Sequence, residues 1–263
     1  MPERNVNGTT ISYEEKGQGT PLVLLHGFPL DSRIWREQIA ALSDRFRVIA
    51  PDLRGFGKSR SNDPFTMESL ADDVHALLAD IGALPAILGG LSMGGYVALA
   101  YAKKYPTDLR GLMLIDTKAE GDTPQGKEAR EKMIELARSQ GAKAVAEQMM
   151  PKMLAPDADN HRPQVKRELD AVMNAQTPLT IEHALAAMRD RPDSTSLLPS
   201  IAVPTLVIVG EHDAITPPAG AEPMSKAIRG STYVVVRGSG HMAPMEQPQQ
   251  VTDAIRRFAT NLP

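Results

Sequence analysis

Six apolar runs of strand length, each closing on a loop rich in Gly, Pro or Asp, constrain this chain more than anything else in it. They are PLVLLHG (21–27), RVIAPD (47–52), PAILGG (85–90), GLMLID (111–116), PTLVIVG (204–210) and TYVVVRG (232–238). They carry little polar–apolar alternation, so both faces of each must be covered, as in a parallel sheet. Helical patterns lie between them: 33–42 and 66–80 are amphipathic, 93–104 is almost wholly apolar or small, and 246–260 closes the chain. This alternation predicts an α/β architecture, a mostly parallel sheet of about eight strands with helices on both faces. Residues 3–15 add an antiparallel hairpin at one edge, turning at Asn7-Gly8. Asn-Gly is the preferred two-residue hairpin turn. Asn7-Gly8-Thr9 is also a glycosylation sequon, but no secretion signal precedes it, and the turn accounts for it.

Residues 119–196 break the rhythm. They hold no strand-like run but several helical segments, over 124–139, 141–153, 160–175 and 178–190. A helical stretch between two sheet strands must sit over an edge of the sheet, and ligands bind outside the carboxyl ends of such strands. The expected organisation is therefore a core domain of 1–118 and 197–263 with a helical cap, 119–196, inserted between strands. Met133, Met149, Met150, Met153, Met173 and Met188 fall in the cap. Methionine fills gaps between helices, so core packing is their first explanation; an adaptable apolar pocket wall is the second.

With 263 residues, 42% hydrophobic and 23% charged, the chain can build a sizeable core. Its net charge of −3, with both signs intermixed, offers no one-sided basic surface for nucleic acid. There is no cysteine, which excludes disulfides and thiolate chemistry. No signal-peptide core and no 18-residue apolar run occur, so a cytoplasmic protein without membrane partners is expected. No H-E-x-x-H or similar cluster points to a metal, and no cofactor is expected.

The stretch Leu88–Gly95, LGGLSMGG, follows one strand pattern and opens the helix pattern 93–104. Glycines around a turn there serve either a phosphate cradle or a nucleophile elbow. Spacing rejects the phosphate. The dinucleotide fingerprint G-x-G-x-x-G meets Ser92 two residues after Gly90, and a Walker loop meets Tyr96 where lysine belongs. GDTPQGKE (121–128) has Lys127 but puts Glu128 at the hydroxyl position, with no strand before it. Gly90-Leu91-Ser92-Met93-Gly94 fits G-x-S-x-G in both of its required contexts. Its tight turn holds Ser92 in a strained conformation; Gly90 and Gly94 are expected to remove Cβ atoms that would collide with it.

A serine hydroxyl needs a base, and the base an orienting carboxylate. GEHDAITPP offers Asp213 after the next-to-last strand, and GSGHMAPMEQP offers His241 after the last. Both stand where a strand ends, at the same sheet edge as Ser92. Asp116 competes with Asp213, since it too ends a strand. Of the other histidines, His26 is expected to shape the loop after the first long strand, and His75, His161 and His183 to take surface roles. His212 adjoins Asp213 but points away from it. An oxyanion needs two donors. The N–H of Met93 follows the nucleophile, and that of Phe28 lies in HGFPLDS, with Pro29 restraining its direction. Pro29 and Met242, beside donor and base, are candidate substrate contacts.

The segments HGFPLDSRIW, PDLRGFGKS, GLSMGGYVALAYAKKYP, GEHDAITP and GSGHMAPMEQP together resemble the α/β-hydrolase fold superfamily, and within it the cofactor-free serine esterases, lactonases and perhydrolases (the non-haem haloperoxidase-like group). The resemblance spans the sheet domain and is weak in the cap. It implies Ser92 as nucleophile, His241 as base, Asp213 as its acid, and Phe28 and Met93 as oxyanion donors. The implied activity is hydrolysis of small to medium, mainly apolar esters. Lactone hydrolysis and peracid formation are variants on the same triad, and slow-turnover ligand reception is an outlying one. A serine at the elbow sets the chain apart from the aspartate-dependent dehalogenases and epoxide hydrolases of this fold.

Overall fold

The computed structural model describes residues 1–156, 158 and 162–262. Its eight-stranded sheet is built from β1 (Glu3–Val6), β2 (Thr9–Lys16), β3 (Thr20–Leu25), β4 (Phe46–Pro51), β5 (Ala86–Leu91), β6 (Leu109–Ile115), β7 (Thr205–Gly210) and β8 (Thr232–Val236). They lie in the order β1-β2-β4-β3-β5-β6-β7-β8. Strands β1 and β2 pair antiparallel to each other, and β2 to β4; every other pairing is parallel. The β1–β2 hairpin turns at Asn7 (φ 49°) and Gly8 (φ 77°), two consecutive left-handed residues, as an Asn-Gly turn of this hand requires.

Alternate residues of the central strands feed two separate cores. Val23 and Leu25 pack on one face with α2 (Met67–Asp80) and α3 (Met93–Lys104). Leu22 and Leu24 pack on the other with Trp35, α1 (Arg36–Leu42) and the C-terminal helix. Both faces are covered, which is why the runs lack alternation. The exception is β8, whose Val235 is 40% exposed; it is the sheet's edge and has a strand neighbour on one side only.

From β3 the chain passes through α1 to β4 on one side, then crosses through α2 to β5 on the other. The crevice beyond the carboxyl ends of β3 and β5 is thus the topological switch point, where open α/β sheets bind ligands.

Between β6 and β7 runs a helical insertion: α4 (Pro124–Met153), α5 (Pro163–Asn174) and α6 (Pro178–Asp190). Gly141, at φ 80°, kinks α4 and separates the two helical segments expected from the sequence. Residue His161 and the expected start of the third segment at 160 lie outside the described residues. Of the methionines there, Met153, Met173 and Met188 are buried core and Met150 packs against it, while Met133 and Met149 pack half-buried against the core and also line a cavity.

The chain ends with α7 (Pro218–Ala227), α8 (Ala243–Glu246) and α9 (Pro248–Thr260). The single closing helix expected over 246–260 is broken at Gln247 (φ −132°, ψ 59°). Pro248 disfavours helical geometry in the residue before it. No helix among the described residues is long and apolar enough to cross a membrane.

Candidate active site

Ser92 stands between β5 and α3 at φ 52°, ψ −112°, a conformation costly for any residue with a Cβ. Its N–H donates to Ile115 O (2.9 Å), while its carbonyl accepts from Gly95 N–H (2.9 Å) and the Thr117 hydroxyl (2.8 Å). The backbone is therefore over-determined and the hydroxyl left free of structural duty. The glycines act differently from the sequence expectation. A Cβ on Gly90 would lie 2.0 Å from Gly94 O, and one on Gly94 would lie 2.5 Å from Leu25 O and 2.7 Å from His26 O. They clear room for helix backbone against strand backbone, not for the serine side chain.

Loop 26–31, after β3, comes up beside the serine: a Cβ on Gly27 would sit 3.2 Å from Ser92 Cβ. His26 is fully buried, with Nδ1 2.8 Å from Gly27 O and Nε2 accepting from Leu53 N–H at 3.0 Å. Burial lowers its pKa, so the ring is neutral. It ties the loop after β3 to the loop after β4, the shaping role expected of it. Phe28 follows in this loop and Met93 opens α3. Among the described residues, neither backbone N–H has a hydrogen-bond partner.

Asp213 follows β7 and His241 follows β8. His241 Nδ1 lies 2.8 Å from Asp213 Oδ2, with both side chains at most 2% exposed. Oδ1 of Asp213 accepts from Ile215 N–H (2.8 Å) and Thr216 N–H (2.9 Å), and the Thr216 hydroxyl donates to Oδ2 (2.7 Å). Burial would raise this carboxyl; the His241 partner and these donors outweigh it and hold the pKa at about 2. Thr216 was not singled out by the sequence reading, and its only signal there was its position three residues after an acid.

Asp116, the competing acid, follows β6 at φ 43°. Its Oδ1 accepts from Gly210 N–H (2.7 Å), and its buried Oδ2 has no hydrogen-bond partner. Burial first, then the charge of Asp213, push its pKa well above its ordinary 3.8. The two carboxyls are thus pushed in opposite directions, and the one held low, Asp213, bonds the histidine. An acid whose folded pKa is raised stabilises the fold below its unfolded pKa and loses that contribution as pH rises. Asp116→Asn keeps the acceptor for Gly210 and cannot ionise. The variant is therefore expected to gain stability relative to wild type between pH 4 and pH 8 in urea denaturation. An unchanged difference across that range would mean that Asp116 is ionised throughout.

Glu246, also absent from the sequence reading, is 3% exposed. It accepts from Gly240 N–H (2.8 Å), beside His241, and from Ala155 N–H (2.7 Å), in the insertion. Met242 N–H donates to Met153 O (3.1 Å), a second tie between the same segments. Glu246→Ala strands a buried donor at Gly240 and a half-buried one at Ala155 and should cost about 1–3 kcal/mol, read as a lower urea midpoint at unchanged slope. A loss under about 0.5 kcal/mol would exclude this bracing role.

Met242 is fully buried in the second core, and Pro29 is buried; neither lines the cavity beside the site. His75 stacks on Tyr105 and faces Asp108 (3.0 Å), and His212 is half exposed beside Glu211. His183, expected at the surface, is half-buried against Phe65, because α6 turns this side of the helix inward. Among the described residues no cluster of acidic or histidine side chains could hold a metal ion.

A family model for the alpha/beta hydrolase fold matches residues 20–248. The chain belongs to the α/β-hydrolase fold family. It is similar to a thermophilic esterase from Thermogutta terrifontis, solved with malate bound, at 43% identity and a TM-score of 0.94 over 98% of this chain and 96% of that one. An enol-lactonase from Burkholderia xenovorans LB400 superimposes at a TM-score of 0.92, with 29% identity over 99% of this chain and 100% of the other. A pimeloyl-[acyl-carrier protein] methyl ester esterase of Neisseria meningitidis is 33% identical over 89% of this chain and 91% of its own length. In this α/β hydrolase the family match takes in the elbow, Asp213 and His241.

Proposed function

We propose that this chain is a serine carboxylester hydrolase. The observation that carries the reading is the buried 2.8 Å contact between His241 and an ionised Asp213. It stands at the same sheet edge as the strained Ser92. In this mechanism Ser92 Oγ attacks the ester carbonyl carbon as its proton passes to His241 Nε2. The carbonyl electron pair moves onto oxygen, which takes hydrogen bonds from the free N–H groups of Phe28 and Met93. Collapse expels the alcohol, protonated by His241, and leaves an acyl-serine. Water then gives its proton to His241, attacks the acyl carbon, and releases the acid and a restored serine. Asp213 keeps the imidazole in the tautomer with Nε2 unprotonated and compensates its positive charge while it carries the extra proton.

Residues 119–196 act as a cap over this site, and Met133 and Met149 supply an apolar wall for acyl or alcohol groups. The esterase relatives and the enol-lactonase support ester chemistry, and the lactonase favours a cyclic ester as the second reading. The test is turnover of p-nitrophenyl esters of graded acyl length beside several lactones, with labelling by a fluorophosphonate. Labelled peptide is expected at Ser92; label elsewhere, or none with no turnover, would overturn the assignment.

A further inference from the structure

A cavity of about 380 Å³ opens beside the site, bounded below by Phe28 and Thr216. Its volume lies in the range of small-molecule pockets. Its apolar lining is Met133, Met149, Leu185 and Ile215, the methionines interleaved along α4 with the cations Arg130 and Lys152. Lys118, Arg130 and Lys152 line it as well, and among the described lining residues Asp122 is the one carboxylate.

That carboxylate is over-subscribed. Asp122, with a side chain 5% exposed, is shared by Arg130 (3.0 Å), the buried Arg191 (2.9 Å) and, more distantly, Lys118 (3.7 Å). Arg191 lies over the ring of Tyr96, 4.0 Å from its centroid, and Tyr96 also lines the cavity. Asp193, beyond Arg191, is occupied by the N–H groups of Gly121 (3.0 Å) and Thr195 (2.8 Å). Lys152 has no ion-pair partner among the described residues. The last turn of a helix favours a lysine on its own account, but that does not explain why two more cations face the same space. Lys152 is exposed, and Lys118 and Arg130 keep 33% and 24% of their side-chain surface open, so their charges stand at the solvent-facing part of the cavity. Three cations line the cavity with one carboxylate, and that carboxylate also serves Arg191.

Resting on the ester-hydrolase reading, we propose that the substrate carries a carboxylate remote from the scissile ester. That carboxylate docks on Lys152, Arg130 and Lys118, while the connecting chain lies on Phe28, Met133 and Met149. A half-ester of a dicarboxylic acid has this chemistry. Arginine and lysine both suit a carboxylate, and arginine can bind it through two parallel hydrogen bonds.

The experiment compares kcat/KM for monomethyl adipate and dimethyl adipate. Wild type is expected to favour the half-ester about tenfold or more at low salt, the scale of one charge-assisted hydrogen bond. The preference should shrink at high ionic strength. Lys152→Met and Arg130→Met should each lower the ratio, mainly through KM. Lys143→Met, exposed on the same helix and paired with Glu147, should leave it unchanged. Equal or poorer use of the half-ester by wild type, or a ratio surviving both cavity variants, overturns the proposal. Calorimetry of monomethyl adipate on Ser92→Ala gives a readout independent of turnover. Binding that weakens about tenfold with Lys152→Met added supports the anion site even if hydrolysis fails. No measurable binding counts against it. Neutral esters turned over with no preference would remove this inference alone; no turnover and no serine label would remove the hydrolase reading.

Discussion

Ser92→Ala is expected to abolish ester turnover, by about 10⁶-fold in kcat, the scale for removing the nucleophile of a serine triad. Its fold should be unaffected. The hydroxyl makes no hydrogen bond that holds the turn, because the bonds at this residue run through its N–H and carbonyl. Thermal unfolding and steady-state p-nitrophenyl acetate hydrolysis, measured on the same preparation, check both halves. Residual activity above about a thousandth of wild type in a folded variant would mean that Ser92 is not the nucleophile. A variant that loses stability along with activity would instead assign the serine a structural role that its free side chain does not indicate.

Asp213→Asn should be almost as damaging, with a loss of about 10⁴-fold in kcat/KM. The reason is tautomeric. An asparagine keeps Oδ1 for the N–H groups of Ile215 and Thr216, which turns its NH₂ group toward His241 Nδ1. The imidazole must then accept at Nδ1 and carry its proton at Nε2, where it cannot serve as a base. Residual activity above about a hundredth would mean that another carboxylate serves. Asp116 is the neighbour to test, since loss of the charge on Asp213 removes one cause of its raised pKa. The double variant with Asp116→Asn would then remove the remainder.

Asp213 also makes stability depend on pH. Its folded pKa of about 2 lies below the ordinary 3.8. Its contribution, on the order of 2 kcal/mol, is therefore complete above pH 4 and disappears as pH falls through 2. Urea midpoints of wild type should fall in that window, and those of Asp213→Asn should fall less. Because Asp213 stays ionised down to pH 2, any acid limb in the rate above pH 4 must come from another group.

Much of this site was legible one residue at a time. Ser92, Asp213 and His241 each follow a strand pattern, and parallel strands bring their carboxyl ends to one edge, so position along the chain translates into position in space. The Asn7-Gly8 turn and the Gly141 break are local for the same reason, since backbone conformation is set by neighbouring residues. Glu246 and Thr216 gave no comparable signal. Glu246 matters because it reaches Gly240 and Ala155, the latter 91 residues away, and no local pattern encodes such a contact.

The glycines of the elbow show the limit from the other side. Their type and spacing required a tight turn; Gly90 clears Gly94 within it, but Gly94 clears Leu25 and His26, at the end of β3 more than sixty residues earlier. The choice between two acids is of the same kind. Asp116 and Asp213 are equivalent as strand-end residues, and the sequence alone could rank them only by chain order. Tertiary packing separated them by giving Asp213 three donors and a histidine, and Asp116 a single donor at a buried place beside the charge of Asp213. By itself the sequence determined the sheet, the order of the candidate catalytic groups and the edge they share, because these follow from local periodicity and chain direction. The charge on each acid, and the excess of cations facing the cavity, were decided only in three dimensions, since ionisation depends on burial and on partners distant in the chain.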